Sequence, residues 1–128
     1  MSLDAIGIAG TGLSVNQTWL NAISDNISNI NDTTSPNAPG FQERFVEAQA
    51  NGSGGVHIAG TPFGSSAGQL VYSPADINAN AQGYVKKTTI DLATQMGNLI
   101  MAQRAYQADT QVASRAQTMY QAALKIGQ

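Results

Sequence analysis

With 128 residues the chain is long enough for one ordinary domain. Its aromatic content of 6% excludes a large aromatic core, and its charged content of 11% falls well under the roughly 25% usual in soluble domains. Six Lys and Arg stand against eight Asp and Glu, a net charge of −2, so no basic patch is available for phosphates and nucleic-acid binding is disfavoured. The absence of cysteine excludes disulfides and thiolate metal sites.

The N-terminus has no basic segment, and its apolar run is broken by Gly7, Gly10 and Gly12, so a cleavable signal peptide is not expected. No stretch approaches about 18 apolar residues, and no transmembrane helix is expected. Residues 3–30 predict a long helix. Ile6, Leu13, Leu20 and Ile27 repeat every seven residues, as do Ala9, Asn16, Ile23 and Ile30. Together they form a heptad seam with one polar position, Asn16, which either fixes register in the seam or sits at its solvated edge. The three glycines weaken the first turns, each by up to ~1 kcal/mol relative to Ala. That end is expected to order late, or only on assembly.

Residues 31–40 contain Pro36, Pro39 and a run of turn formers, and read as a loop. The segment 41–87 holds most of the remaining Gly and Pro. Its strand candidates are Phe41–Val46, Val56–Ala59, Gln69–Tyr72 and Tyr84–Lys87, with turns at 51–55 and 60–62. This predicts a small, loop-rich β insert.

The last stretch, Asp91 to Ile126, organises the rest. It lacks proline and consists mostly of good helix formers. Thr88 followed by Asp91 fits a capping pattern, and Gly127 provides an end signal. Such a helix is about 54 Å long, too long for a domain of this size to bury throughout. Leu92, Met96, Leu99 and Tyr106 form one apolar run; Val112, Ala116, Met119, Ala123 and Ile126 form another, offset by one position. Asp91, Arg104, Asp109, Arg115 and Lys125 are the only charges, and a helix otherwise clothed in small or neutral polar residues is suited to packing against other helices. The predicted fold is mainly α: long N- and C-terminal helices (residues 1–31 and 88–128) pairing as an antiparallel coiled coil around a β-rich middle segment (32–87). In that pairing Ile6, Leu13, Leu20, Ile23, Ile27 and Ile30 pack on Leu92, Met96, Leu99, Tyr106, Val112 and Met119.

Candidate chemistry is sparse. Gly10-Thr11-Gly12 opens like a dinucleotide fingerprint, but position 15 is Val and no strand precedes it. His57 is the only histidine; without Cys or an acid cluster nearby it reads as a strand residue, not a ligand or general base. Glu43 and Glu47 read as a solvated strand edge. Asn-x-Ser/Thr sequons begin at Asn16, Asn26, Asn31 and Asn51, and since two fall in the predicted helix, chance explains them better than glycosylation.

The two ends carry a resemblance. The run Asn26-Ile27-Ser28-Asn29-Ile30-Asn31-Asp32-Thr33 resembles the N-terminal signature of bacterial flagellar rod and hook proteins, roughly N-L-A-N-x-N-T. Leu99 to Ala108 resembles their C-terminal signature with its A-x-R-A-Y-Q-A core, carried here by Arg104, Tyr106 and Gln107. Gly83-Tyr84-Val85-Lys86, Leu70-Val71-Tyr72-Ser73-Pro74 and the short length are similar to the proximal rod branch of that family. Departures are the expanded loop after Asn31, Pro39-Gly40-Phe41 in place of a glycine- or proline-tyrosine turn, Asp109 in place of Asn, and Gly97 within the last helix. Residues 50–68 match nothing in the family pattern.

The resemblance implies a non-enzymatic subunit of the basal-body rod, without cofactor, metal or small-molecule substrate. It implies export through the flagellar type III apparatus without a cleaved signal, and assembly in the periplasm into a hollow shaft that transmits torque. Partners implied are other copies, proximal and distal rod subunits, and the adaptor joining rod to MS ring. The seam residues above, with Asn16, Asn26, Asn29, Arg104 and Gln107, are the implied subunit interface. Asn26 and Asn29 are expected to cap or bridge the helix end through their amides. Gly40, Phe41, Gly83, Tyr84 and Val85 form the family motif of the middle segment. Two other classes fit the composition: a component of a related type III secretion assembly with a terminal coiled coil, and a small soluble enzyme or binding module.

Overall fold

The computed structural model describes residues 2–128. Two long helices enclose five short strands: α1 (Ser2–Ser28), β1 (Thr33–Thr34), β2 (Glu47–Ala50), β3 (Val56–Gly60), β4 (Gln69–Tyr72), β5 (Tyr84–Lys87) and α2 (Leu92–Ile126). β2 and β3 form an antiparallel hairpin with a register shift between Glu47 and Ala48. β5 lies between β1 and β4, antiparallel to both.

The helices touch along most of α1, and their contacts run in opposite chain order. Asn26, near the end of α1, reaches Gln95 near the start of α2, while Asn16 reaches Asp109 further along. The core is thin: Ala9, Ala22 and Ile23 of α1, Ala102 and Ala116 of α2, and Val85 of β5 are its buried apolar residues.

Two local expectations are corrected. Asp91, not Thr88, caps α2: its carboxylate accepts from the Thr94 amide at 2.9 Å and the Thr94 hydroxyl at 2.6 Å. Thr88 instead donates its hydroxyl to the Ile30 carbonyl, tying the start of α2 to the end of α1. The strand expected at Phe41–Val46 forms only later, at Glu47, and Arg44 makes an isolated bridge to Phe63. The cause is a competing partner for Arg44, described below. Gly97, within α2 as expected, lies on an exposed side with open space around it.

Candidate functional site

The junction of α1, α2 and the insert is built on one amide. Asn26 is 2% exposed. Its Oδ1 accepts from the Arg44 backbone N–H at 2.8 Å, and its Nδ2 donates to the Arg44 carbonyl at 2.9 Å and to Gln95 Oε1 at 3.1 Å. The amide therefore acts as a one-residue neighbouring strand. On the other edge of the same segment Phe45 N–H donates to the Pro62 carbonyl, and Gly64 N–H to the Glu43 carbonyl. Residues 43–45 are thus held between a side chain and a strand-like segment, which is why no regular strand starts there.

Gln95, 1% exposed, continues the network by donating Nε2 to Glu43 Oε1 at 2.6 Å. Glu43, expected on a solvated edge, is half-buried under this contact. Outside the amide chain, Arg44 pairs with Asp25 at 2.6 Å and lies over the Phe41 ring at 5.7 Å. Both partners of that ion pair are substantially exposed, so it contributes at most ~1 kcal/mol. The buried amides carry the junction, because breaking them strands polar groups away from water. Asn29 donates Nδ2 to the Asp25 carbonyl at 2.8 Å and covers the last turn of α1.

A second polar contact lies further along the helix pair. Asn16 donates Nδ2 to Asp109 Oδ2 at 2.9 Å. Gly12 lies beside the same carboxylate: a Cβ there would come within 2.5 Å of Asp109 Oδ2. Gly12, Asn16 and Asp109 therefore form one fitted set, and the glycine is explained by close approach. Gly7 and Gly10 have open space around them.

The buried side of α2 differs from the expected seam. Gln95, Ala102 and Ala116 are buried, with Asn98, Ala105, Asp109, Ala113 and Tyr120 half-buried between and beyond them. Their spacing alternates mostly three and four, the period of a stripe facing one neighbour. Leu92, Met96, Tyr106, Val112 and Met119, expected to pack on α1, are exposed; Met119 is 69% exposed. Only Leu99 and Ala116 of the two apolar runs lie on the covered side, half-buried and buried. Small residues let the two backbones approach, and the large side chains are left to the flanks. On α1, Ala9 and Ile23 of the expected seam are buried and Ile6, Leu13, Leu20 and Ile27 are half-buried, as is Ile30 just past the helix end.

At about 100° per residue Tyr106 and Leu124 fall beside the covered stripe, and the other exposed large apolar residues of α2 separate into two sets. Leu92, Met96 and Ile100 lie on one flank of the covered stripe; Met101, Val112, Met119 and Ile126 lie on the other. Arg104 and Arg115 point away from α1 and are exposed, as is Gln107. Among the described residues the exposed positions of α1 are Asp4, Gly7, Ile8, Gly10, Ser14, Gln17, Asn21, Ser24 and Ser28, with Asp4 the one charge and Ile8 the one large apolar side chain.

In the insert, Gly83 has φ +81°, and a Cβ would come within 2.8 Å of the Tyr72 ring and 3.1 Å of Pro74. Its carbonyl accepts from Ser73 N–H at 2.8 Å. Tyr84 meets Tyr72 edge-on at 5.4 Å, and Val85 is 1% exposed. The two middle-segment motifs thus close one hairpin together. Gly40 lies against Lys86 and Thr34, and Lys86 donates Nζ to the Ala38 carbonyl, holding the expanded loop to β5.

Among the described residues no group of His, Cys, Asp and Glu is arranged to hold a metal ion, and no helix is long and apolar enough to cross a membrane. Sequence reasoning missed Gln95, Glu43 and Asp25. The signal for Gln95 was its place seven residues before Ala102, in a series that continues through Asp109 and Ala116.

Two family models match the ends of the chain: a flagella basal body rod protein model over residues 6–36, and a flagellar basal body rod FlgEFG protein C-terminal model over residues 81–126. Full-length relatives agree. The chain is 31% identical to the flagellar basal-body rod protein FlgC of Escherichia coli O6:H1, with 98% of each chain covered. It is 30% identical to FlgC of Salmonella typhimurium over 98% of each chain, and 26% identical to FlgC of Bacillus subtilis over 96% of each chain.

Proposed function

Because this chain belongs to the flagellar basal-body rod protein family and is FlgC-like, we propose that it is a structural, non-enzymatic subunit of the proximal rod that polymerises through its terminal helices. In this reading α1 and α2 wind as an antiparallel coiled coil, and copies stack side by side into a hollow shaft. The shaft transmits torque and leaves a channel for the export of distal subunits. The subunit itself leaves the cytoplasm through the type III export apparatus and meets other rod proteins and the rod-to-MS-ring adaptor in the periplasm.

The observation that supports assembly most directly is the division of α2. A lone coiled coil hides its large apolar side chains, whereas α2 hides Ala102 and Ala116 and exposes Met96, Val112 and Met119. Two apolar flanks suit two neighbours per copy, and a contact between unlike faces propagates instead of closing as a dimer does. The charges favour the same arrangement. Among its described residues α1 carries Asp4 and Asp25 and no base. α2 carries Arg104, Arg115 and Lys125 against Asp109. Arg104 in this reading pairs with an acid or a carbonyl of an adjacent subunit. Asn16 and Asn26 hold the helix pair in the register that presents these faces, Asn29 closes the last turn of α1, and Gln107 lies at the contact.

The test is genetic complementation. In a host lacking its own copy of the gene, the wild-type chain should restore motility and complete rods in isolated basal bodies. Arg104→Ala should be exported but yield fewer rods. Full motility in the deletion strain would end the rod assignment; unchanged rod yield with Arg104→Ala would end the role of Arg104 alone.

A further inference from the structure

The hairpin between β2 and β3 carries the only Asn-Gly pair of the chain, Asn51-Gly52. We propose that this pair is a self-modifying site: Asn51 converts to aspartate and isoaspartate through a succinimide, and His57 promotes the conversion.

Three features bring the reacting groups together. Gly52 is exposed, has open space where a Cβ would lie, and its N–H makes no hydrogen bond among the described residues. It is therefore free to lose its proton to solvent base, and without a Cβ it can approach the preceding side chain. His57 lies across the hairpin, paired in register with Gln49, and its Nδ1 is 2.6 Å from Asn51 Oδ1. In this orientation Oδ1 can only accept, so Nδ1 carries the proton and draws charge from the amide carbon. Finally, the side-chain nitrogen of Asn51, Nδ2, makes no hydrogen bond among the described residues and is free to leave.

The step balances without any redox partner. The deprotonated Gly52 nitrogen bonds to Asn51 Cγ. Negative charge grows on Oδ1, where the imidazole N–H meets it. The Cγ–Nδ2 bond then breaks, and the nitrogen takes a proton from solvent and leaves as ammonia. Water opens the ring at either carbonyl, giving aspartate or isoaspartate. One water enters and one ammonia departs.

The site is placed where this change alters the fold. Asn51 N–H donates to the Gly55 carbonyl at 2.9 Å, and Gly54 N–H to the Asn51 carbonyl at 3.2 Å. The turn packs on α1: Val56 N–H donates to Thr11 Oγ1 at 3.1 Å, and Gly54 and Gly55, both at positive φ, lie against Ile8 and Thr11. Isoaspartate lengthens the backbone by one carbon at Asn51, so it breaks the closing bonds of the turn and loosens the hairpin from α1.

The experiment uses the purified full chain, incubated warm at neutral pH. Ammonia release, peptide mass and isoaspartyl methyltransferase labelling are followed for the wild type and for Asn51→Gln, Gly52→Ala and His57→Ala. Urea-unfolded wild-type chain serves as the reference. Expected are product at Asn51 faster than at any other Asn, its loss in Asn51→Gln, and a several-fold slowing in Gly52→Ala. His57→Ala should be slowed several-fold towards the rate of the unfolded chain. A His57→Ala rate equal to or above wild type would overturn the role of His57. A folded chain slower than the unfolded one would overturn the site. Circular dichroism of each variant separates a chemical effect from lost structure.

Discussion

The two sides of α2 are made of the same helix and obey opposite rules. The side against α1 is Gln95, Ala102, Asp109 and Ala116, small or polar and covered. The free sides carry Leu92, Met96, Ile100, Met101, Val112 and Met119, large and exposed. Within one copy the helices are matched by shape and by amides, while large apolar side chains of α2 are left exposed. Stability of the single chain and stability of an assembly therefore draw on different residues and can be separated by substitution.

The sharpest break is on the free sides. Met96→Glu with Met119→Glu keeps good helix formers, so the single chain should melt within ~0.5 kcal/mol of wild type. Assembly should be lost, because each added charge has to be desolvated in a packed contact. Sedimentation and electron microscopy of basal bodies read the second effect, thermal circular dichroism the first. Retained rods, or a chain that no longer folds, would each collapse the distinction between the sides.

The covered side should respond in the opposite sense. Asn26→Ala removes three hydrogen bonds and leaves the Arg44 N–H, the Arg44 carbonyl and Gln95 Oε1 without partners, at a cost of about 2–4 kcal/mol in denaturant unfolding. Asn26→Asp keeps the shape and the acceptor but sets a buried carboxylate oxygen against the Arg44 carbonyl and Gln95 Oε1, and should cost at least as much. Ala102→Leu is next: the site is fully buried, and forcing a larger side chain between the helices should cost about 1–3 kcal/mol. Leu at Ala123, exposed on the same helix, should be near neutral in the single chain. Equal costs at Ala102 and Ala123 would mean that α1 does not lie where Ala102 is covered.

These two sides also mark what a sequence reading reaches. The helices and the strands β3, β4 and β5 are legible because their periods, turn residues and caps are local. The pairing side of α2 is not, since a search for apolar periodicity assumes that large side chains go inward within one chain. Here Leu92, Met96 and Val112 carry the apolar signal and Ala102 and Ala116 carry the contact, and alanine weighs little in any hydropathy pattern. The Asn26 junction was half legible: an amide bridging the helix end was expected, but its targets, the Arg44 backbone and Gln95, lie 18 and 69 residues away. No local pattern encodes a side chain that stands in for a strand. The Gly83 turn was visible as a motif, and its reason, the Tyr72 ring packed where a Cβ would be, needed three dimensions.

The smallest effect belongs to neither side but to the end from which both begin. Asp91 is fully exposed, and its carboxyl is held below the ordinary value of 3.8, first by the Thr94 hydroxyl and then by the Thr94 N–H. A depressed folded-state value means the folded chain binds the proton less readily than the unfolded chain. The cap therefore stabilises α2 fully above the ordinary carboxylate range and loses that contribution as pH falls through the depressed value. The Thr94 amide proton resonance should follow this titration, with a midpoint below that of an unstructured aspartate. Asp91→Asn keeps an acceptor without the charge, so the Thr94 titration should vanish while the helix start remains formed. Asp91→Ala should fray the first turn at every pH and leave the Asn26 junction, beyond Gln95, as the first fixed point of the helix. A Thr94 shift that titrates at or above the ordinary value would show that the carboxylate is not held by these donors, and that α2 begins at the junction instead of at its cap.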